Sequence, residues 1–315
     1  MSSGEPDALL DELRPAAFAI AYRMLGSVSE AEDVVQEALL RFHRARETGP
    51  EIESPRAFVA TVTTRLAIDE LRSARARREL YVGEWLPEPV ITDSPDDPAR
   101  HAEMADSLSL ALLVVLESLS PEQRAVLLLR DVFDYGYDEI SRIVGKSEAN
   151  VRQLATRARA HVEDGRPRFQ TSREQRDELA RRFFAAVQDG DLAGLEALLA
   201  HDAVLTGDGG GKVPALARPL RGRSRVARAL LGWVRVASRV PGVSMRPVEV
   251  NGTPGALLFD GEGRVVGVWA IETAGGEIAG VNSVVNPDKL GHLGPVGDVR
   301  ALLERAAQAR RESAN

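Results

Sequence analysis

The spacing of apolar residues divides the chain into a helical first half and a second half that mixes helices with strands. Up to about residue 165, apolar residues recur at three- and four-residue steps, as they do on the buried side of amphipathic helices. From 203 onwards, short β-rich runs alternate with Gly, Asp, Asn and Pro. Two helices precede these runs and one spans 223–236, so this half is predicted to be α+β with a curved antiparallel sheet.

Capping signals place the first helices. Residues 7–46 are predicted to be helical with a pause at Gly26 and Ser27, and we expect Ser29 to cap the second helix. Ser54 and Pro55 predict the start of a third helix, because serine caps well and proline suits the first helical position. A further helical segment runs from residue 102, and the motif SPEQ at 120–123 opens the next helix.

The second helix has an acidic, partly apolar side that faces away from its buried stripe. This side carries Asp33, Gln36 and Glu37. It suits a protein partner, although a solvated amphipathic face is the commoner outcome for such a charge pattern.

The third helix ends in the most positive stretch of the chain. Four arginines stand there without an acid among them: Arg72, Arg75, Arg77 and Arg78. Such a cluster can neutralise nucleic-acid phosphates, whereas one or two charges would suffice to complement the helix dipole. Upstream on the same helix, we expect Thr61, Thr63, Thr64 and Arg65 to make polar contacts to a strand of nucleic acid.

Residues 81–99 interrupt the helical pattern with four prolines, several acids and no basic residue, and so predict an extended linker. About twenty extended residues span roughly 60 Å, enough to join two DNA-binding lobes. Tyr81, Trp85 and Leu86 are larger and more apolar than a spacer needs. We therefore expect these side chains to dock on another surface.

Residues 137–162 predict a helix-turn-helix. Gly145 and Lys146 break the first helix, and Ser147 can cap the second. Outside the apolar stripe of the second helix lie side chains that suit base edges and phosphates: Asn150, Arg152, Gln153, Thr156 and Arg157. The alternative is an ordinary helical hairpin with a solvated basic face.

The composition excludes several classes of function but does not assign one. The 315 residues include no cysteine, which excludes disulfides, thiol catalysis and cysteine-ligated metal sites. No apolar run is long enough to span a membrane, and the acidic N-terminus lacks a signal-peptide pattern, so we expect a cytoplasmic protein. The net charge of −7 argues against indiscriminate coating of nucleic acid but allows a local basic patch.

Four segments, in order, resemble the extracytoplasmic-function sigma factors. They are EAEDVVQEALLRF (30–42), RLAIDELRSARAR (65–77), the acidic linker, and the stretch from SPEQRAVLLLRDVF to LATRARA (120–160). The resemblance implies core RNA polymerase and promoter DNA as partners. It assigns Asp33, Gln36 and Glu37 to polymerase, and Arg65, Asp69, Arg72, Arg75 and Arg77 to the minus-10 element. It also assigns six residues to the helix that reads the minus-35 element: Asn150, Arg152, Gln153, Thr156, Arg157 and Arg159. Many members have asparagine where Arg65 stands.

The second half resembles SnoaL-like domains, which are cone-shaped and related to nuclear transport factor 2, and a subgroup of these sigma factors carries such a domain. Three motifs mark that subgroup: WLPEP (85–89), DGGGK (208–212) and NPDKL (286–290). We expect this domain to regulate activity in cis by docking on the linker and the sigma domains, in place of a separate anti-sigma protein, because the aromatic patch of the linker and the glycine loop are otherwise unexplained. The implied interdomain residues are Trp85, Leu86, Pro87, Asp208, Gly209, Gly210, Gly211, Lys212, Asn286, Pro287, Asp288, Lys289 and Leu290.

Alternatives remain at this stage. The three glycines at 209–211 suit either an anion-binding nest or close approach of another segment, or they form a flexible hairpin loop. An enzymatic SnoaL-like domain would need a general base, for which Asp202, Asp208 and His201 are candidates, whereas His201 and His292 fit ordinary solvated loop histidines. A ligand-sensing cone and a plain helix-turn-helix repressor are further alternatives.

The predicted architecture is therefore multidomain. It comprises sigma region 2 (1–80), an acidic Pro-rich linker (81–100), the all-α region 4 (101–165), the SnoaL-like domain (171–290) and a partly helical tail (291–315). We expect no catalytic residue, metal or cofactor, and a small molecule in the cone is one further candidate partner.

Overall fold

The computed structural model describes residues 4–49, 51–78, 80–93, 109–165 and 172–312, which form two compact units. The first unit is helical and contains the described residues up to Leu80 and those from Leu112 to 165. The second unit contains 81–93, Ser109–Ala111 and 172–312. The described part of the predicted linker, residues 81–93, thus belongs with the C-terminal half of the chain, and residues 94–100 lie outside the described residues.

The helices up to residue 165 are α1 (Gly4–Leu25), α2 (Val28–Thr48), α3 (Pro55–Arg78), α4 (Leu110–Glu117), α5 (Pro121–Asp131), α6 (Tyr137–Val144) and α7 (Glu148–Gly165). Ser54 and Ser120 bond to backbone amides at the starts of α3 and α5, as predicted. The prediction of Ser29 as the α2 cap is wrong. Ser27 accepts from the Glu30 amide instead, because Gly26 adopts a left-handed conformation and α2 begins two residues earlier than expected.

A buried arginine joins α5 to α1 within the first unit. Arg124 is 1% exposed, and its guanidinium donates to the Arg23 carbonyl at 3.1 Å and to the Glu117 carboxylate at 2.5 Å. Burial lowers the pKa of Arg124 to about 9, so the side chain is still charged at neutral pH. The region that contains α1 and the region that contains α5 are therefore tied by a charge held away from water.

The second unit combines helices with one sheet. Its helices are α8 (Arg173–Asp189), α9 (Leu192–Leu198), α10 (Arg223–Ala237) and α11 (Val299–Glu312), with short 3-10 turns at Pro287–Lys289 and Gly291–Leu293. Its strands are β1 (Leu199–Asp208), β2 (Leu220–Arg221), β3 (Ser244–Val250), β4 (Thr253–Phe259), β5 (Val265–Ala274) and β6 (Glu277–Val284).

The strand order is β2-β1-β6-β5-β4-β3. The expectation of an antiparallel sheet is wrong at one place, because β1 and β6 pair in parallel. These two strands are far apart in sequence, so no tight hairpin constrains their direction, whereas the hairpins β3-β4, β4-β5 and β5-β6 are antiparallel.

The two faces of the sheet carry different cores. Trp269 and Ile271 of β5 pack with Phe183 and Leu230 from the helices on one face. Val268 and Ala270, which alternate with them, pack on the other face among a different set: Leu86, Leu110, Val250, Leu257, Val265, Val284 and Leu290. Leu86 comes from the linker, so the linker helps to complete the core on the second face.

The described part of the chain contains no helix with the length and apolar character needed to cross a membrane.

Replacing Arg124 by leucine is expected to lower the free energy of unfolding by about 3 kcal/mol, because Glu117 and the Arg23 carbonyl would lose a buried donor. Urea unfolding of the full chain, followed by circular dichroism, measures this loss. Arg142→Leu is the control, since Arg142 is exposed and pairs only within α6. Equal stabilities of the two variants would contradict the role of Arg124.

Candidate functional site

Residues 81–93 lie along the second unit in largely irregular, extended conformation. We call the surface that receives them the linker dock; it consists of residues 208–212, 249–251 and 286–292. The motifs WLPEP, DGGGK and NPDKL, far apart in sequence, meet here.

Asp208, the last residue of β1, is the centre of the linker dock. Its carboxylate is fully buried. One oxygen accepts from the Tyr81 hydroxyl at 2.6 Å and the Gly210 amide at 3.0 Å. The other accepts from the Leu86 amide at 2.9 Å and the Lys289 ammonium at 2.7 Å. Burial, reinforced by the hydrogen bond to Asp208, raises the pKa of Tyr81, so this hydroxyl is a stable donor.

Lys289 provides the positive charge that balances Asp208. Its side chain is 8% exposed and also donates to the Leu86 carbonyl. The ammonium lies 4.9 Å from the centroid of the Tyr81 ring and 4.3 Å from that of the Trp85 ring. These two aromatic residues therefore dock through cation–π contacts in addition to apolar burial.

The glycines after Asp208 allow close approach of neighbouring segments. Gly210 and Gly211 have φ of 60° and 69°. A Cβ on Gly210 would lie 2.3 Å from the Asn286 side chain, and one on Gly211 would lie 2.9 Å from Val82. The Gly210 amide is already bonded to Asp208. Of the interpretations left open by the sequence, the geometry favours close packing.

The NPDKL motif completes this side of the linker dock. The Asn286 side-chain amide donates to the Tyr81 hydroxyl at 2.8 Å, while its carbonyl accepts from the Asp288 amide. Asp288 in turn pairs with Lys212 at 2.5 Å at the exposed edge. Pro287 opens the 3-10 turn that presents Lys289, and Leu290 is buried in the core of the second face.

The later part of the linker pairs with the β3-β4 hairpin. Val90 exchanges bonds with Asn251, its amide donating to the side chain and its carbonyl accepting from the backbone amide. Ile91 forms an antiparallel bridge with Val250. Sequence reasoning missed Asn251; the only signal was the Asn251-Gly252 turn, which predicts a hairpin but no partner.

His292 also contacts the linker. The residue is exposed, as the sequence predicts, and its Nε2 also lies 2.7 Å from the Pro89 carbonyl oxygen. The 3-10 turn at Gly291–Leu293 places the ring against the chain, a contact that sequence spacing does not reveal.

Two of the predicted minus-10 residues on α3, Arg65 and Arg72, contact α5 and α6 of the same unit. Arg65 donates to the carbonyls of Ile143 and Arg142, at 2.9 and 2.8 Å, at the C-terminus of α6. Arg72 bonds to Glu122 at 2.6 Å and to Asp69 at 3.1 Å.

Two other predictions on α3 have different outcomes. The expectation of strand contacts from Thr63 and Thr64 is wrong, because both side chains are fully buried in the helical core. The side chains of Arg75 and Arg77 lie outside the described part of the chain.

The glutamate opposite Arg72 is held ionised. Partial burial alone would raise the pKa of Glu122, but the hydrogen bond and charge of Arg72, a backbone hydrogen bond and the charge of Lys146 together outweigh burial and lower that pKa. Two of the minus-10 candidates are thus engaged by acceptors of the region that carries the helix-turn-helix.

The second helix of the helix-turn-helix, α7, shows the predicted division into two sides. Val151, Ala155 and Ala158 are buried, and a polar set faces solvent: Asn150, Arg152, Gln153, Thr156 and Arg157. Arg152 stacks over the Tyr137 ring at 4.2 Å. Arg159 forms a bidentate pair with Asp131 of α5, so it contributes to internal packing here.

On α2, Asp33 and Gln36 are exposed and Glu37 is half-buried in a pair with Arg41 at 2.7 Å. Leu40 beside them is 41% exposed. This is the acidic, partly apolar face that the sequence predicts.

The candidate general bases are not assembled into a catalytic site. His201 and Asp202 are exposed on β1, and all four donors around Asp208 belong to the linker dock or the linker. No group of three or more metal-binding side chains occurs among the described residues.

Changing Asp208 to asparagine is expected to release residues 81–93, because Lys289 would keep a buried charge without its partner. Hydrogen exchange of the Leu86 amide should accelerate on the order of a hundredfold, corresponding to about 3 kcal/mol. Asp260→Asn is the matched control: Asp260 is equally buried in the same unit and accepts from Arg264 and Glu262, outside the linker dock. If the Leu86 amide exchanges at the same rate in both variants, Asp208 does not hold the linker.

Three family models match the chain. Sigma-70 region 2 matches residues 9–77, Sigma-70 region 4 matches 109–162, and the SnoaL-like domain matches 180–284. The first two cover the helices with the acidic face, the arginine-rich end and the helix-turn-helix. The third covers the sheet that bears the linker dock.

Known proteins match the chain over most of its length. The ECF RNA polymerase sigma factor SigJ of Mycobacterium tuberculosis is 38% identical over 289 residues, covering 89% of this chain and 91% of the relative. The probable ECF sigma factor SigI of the same species is 31% identical, covering 87% and 91%. The crystal structure of SigJ superposes with a TM-score of 0.75 at 36% identity, covering 90% of this chain and 98% of SigJ. The chain therefore belongs to the extracytoplasmic-function sigma factors with a fused SnoaL-like domain, and it is an alternative sigma factor.

Proposed function

We propose that the C-terminal domain regulates this sigma factor in cis by holding residues 81–93 on the linker dock. The observation that carries the proposal is Asp208, a buried carboxylate whose donors include two linker groups, the Tyr81 hydroxyl and the Leu86 amide. A spacer that only connected two lobes would not need such partners. The regulator is part of the chain, so no separate anti-sigma protein is required, and the protein acts in the cytoplasm with core polymerase.

The contacts of α3 support a closed state of the sigma domains. Arg65 and Arg72 cannot bind promoter phosphates while they bond to the α6 carbonyls and to Glu122. To bind the promoter, these two arginines must then release the α6 carbonyls and Glu122 and bond to DNA phosphates instead. In this proposal the arginine-rich end of α3 reads the minus-10 element, the exposed face of α7 reads the minus-35 element, and Asp33, Gln36 and Glu37 bind polymerase.

An enzymatic second domain is less well supported. Catalysis would require a positioned acid or base with access to substrate, and the Asp208 carboxylate already has four donors. A plain repressor would leave the α2 face and the α3 arginines without a role.

Full-length Asp208→Asn is expected to raise promoter-directed transcription several-fold in a reconstituted holoenzyme, because released residues 81–93 would extend the reach between α3 and α7. Point variants are preferable to truncation near residue 165, which would expose Leu86 and Leu110. Asp260→Asn should leave transcription unchanged. If Asp208→Asn transcribed at the wild-type level, or if Asp208→Asn and Asp260→Asn changed transcription equally, regulation through the linker dock would be refuted.

Glu122→Gln is expected to raise transcription about two- to fivefold, because it weakens an exposed ion pair that competes with DNA for Arg72. Asp138→Asn is the matched control, since it removes one negative charge from a pair confined to α6. Promoter titration with each holoenzyme measures the difference. If Asp138→Asn raised transcription as much as Glu122→Gln, the increase would be a general effect of charge, and this would argue against a closed state.

A further inference from the structure

Helix α10 of the second unit carries arginines along one exposed side. Arg225, Arg228 and Arg235 are exposed, whereas Leu230 on the opposite side is buried in the core of the domain. At about 100° per residue, positions 225, 228, 232 and 235 fall within an arc of roughly 80° and extend over about 15 Å of helix. We call Arg225, Arg228 and Arg235 the arginine stripe.

The charge of the arginine stripe is not neutralised within the described part of the chain. None of the three side chains forms an ion pair with a described residue, although the neighbouring Arg223 lies 3.8 Å from Glu277. Residues 209–248 include nine lysines and arginines and no aspartate or glutamate. A locally positive surface therefore faces solvent on a chain whose net charge is −7.

The arginine stripe does not stabilise the helix that carries it. The N-terminus of a helix favours acidic side chains, yet the first turn of α10 contains no acid and includes Arg225. Arg225 and Arg228 are like charges three residues apart, which repel each other. Helix α8 shows the alternative, because its exposed Glu178 and Arg181 form a pair at the same spacing. The arrangement on α10 therefore indicates a negatively charged partner outside the domain.

Gly232 lies between Arg228 and Arg235 on the same side of α10. Glycine is among the least favourable residues in the interior of a helix. Apart from the helix backbone and the two adjacent residues, no described atom lies within 4 Å of the position that a Cβ would occupy. Internal packing therefore does not require glycine here. The missing side chain lets a rigid partner approach the helix closely between two cations.

We propose that the arginine stripe binds the phosphate backbone of duplex DNA, so that the SnoaL-like domain itself contacts the promoter without reading its sequence. A guanidinium group bonds to two phosphate oxygens at once, which favours arginine for this role. A stripe of about 15 Å matches roughly four phosphates of one strand at about 3.4 Å per step. The contact is additional to those proposed for α3 and α7, and it does not depend on regulation through the linker dock.

Binding of the full chain to a fluorescent random-sequence duplex, titrated at several salt concentrations, tests the arginine stripe. The triple variant Arg225→Gln, Arg228→Gln, Arg235→Gln should bind about tenfold more weakly or worse. The slope of log affinity against log salt should fall in magnitude by about 2 to 3, because each lost phosphate contact contributes roughly 0.9. A matched control removes three other exposed arginines of the same unit: Arg182→Gln, Arg310→Gln and Arg311→Gln. Equal effects of the two triple variants would show a general effect of charge and overturn the proposal.

Gly232→Glu tests the same surface without removing an arginine. Glutamate suits a helix better than glycine and has room here, so the unfolding temperature should not fall. Its carboxylate would pair with Arg228 and Arg235 and repel phosphates, so binding to the same duplex should weaken about tenfold. Ala307→Glu, at an exposed position on α11, is the control and should bind normally.

Two results would overturn binding of DNA by the arginine stripe. One is wild-type affinity of the folded Gly232→Glu variant for the duplex. The other is weaker binding of the triple arginine variant to core polymerase with unchanged affinity for DNA, which would assign the stripe to a protein partner. Both results leave the linker dock standing, since the Asp208→Asn transcription assay tests it independently.

Discussion

The buried pair of Asp208 and Lys289 is the interaction on which the arrangement of the second unit depends. Removing two charges from water is costly, and the pair is stable only because other groups complete its hydrogen bonding. Here two of those groups, the Tyr81 hydroxyl and the Leu86 amide, belong to the linker. The pair therefore has its full set of donors only when the linker is in place, so the linker is, in energetic terms, part of the fold of this domain.

In the helical unit, cationic side chains also bond to protein acceptors, at positions nearer the surface. Arg65 and Arg72 are suited to DNA phosphates, yet both have protein acceptors on α5 and α6. These bonds are exposed and individually weak, unlike those of the buried Arg124. Packing through Arg124 holds the helices together, whereas the exposed arginines can exchange partners.

Features specified by neighbouring residues were predictable from sequence. The caps at Ser54 and Ser120 mark helix starts because a serine side chain bonds to an amide three residues on. Docking of Tyr81 and Leu86 followed from aromatic and apolar groups in an otherwise polar spacer. Long-range choices were not predictable: any carbonyl can accept from Arg65, and nothing local identifies Asn251 as the partner of Val90 or sets β1 parallel to β6.

The alternation of side chains along β1 and β6 has a consequence for substitution. Gly207, Ser283 and Val285 line a cavity on the helix-covered face of the sheet, whereas the adjacent Asp208, Val284 and Asn286 lie on the linker side. A substitution on one face therefore leaves the packing of the other face in place. A single-residue insertion within either strand would exchange the faces and damage both at once. The length of these strands is thus more tightly constrained than the side chains on either single face.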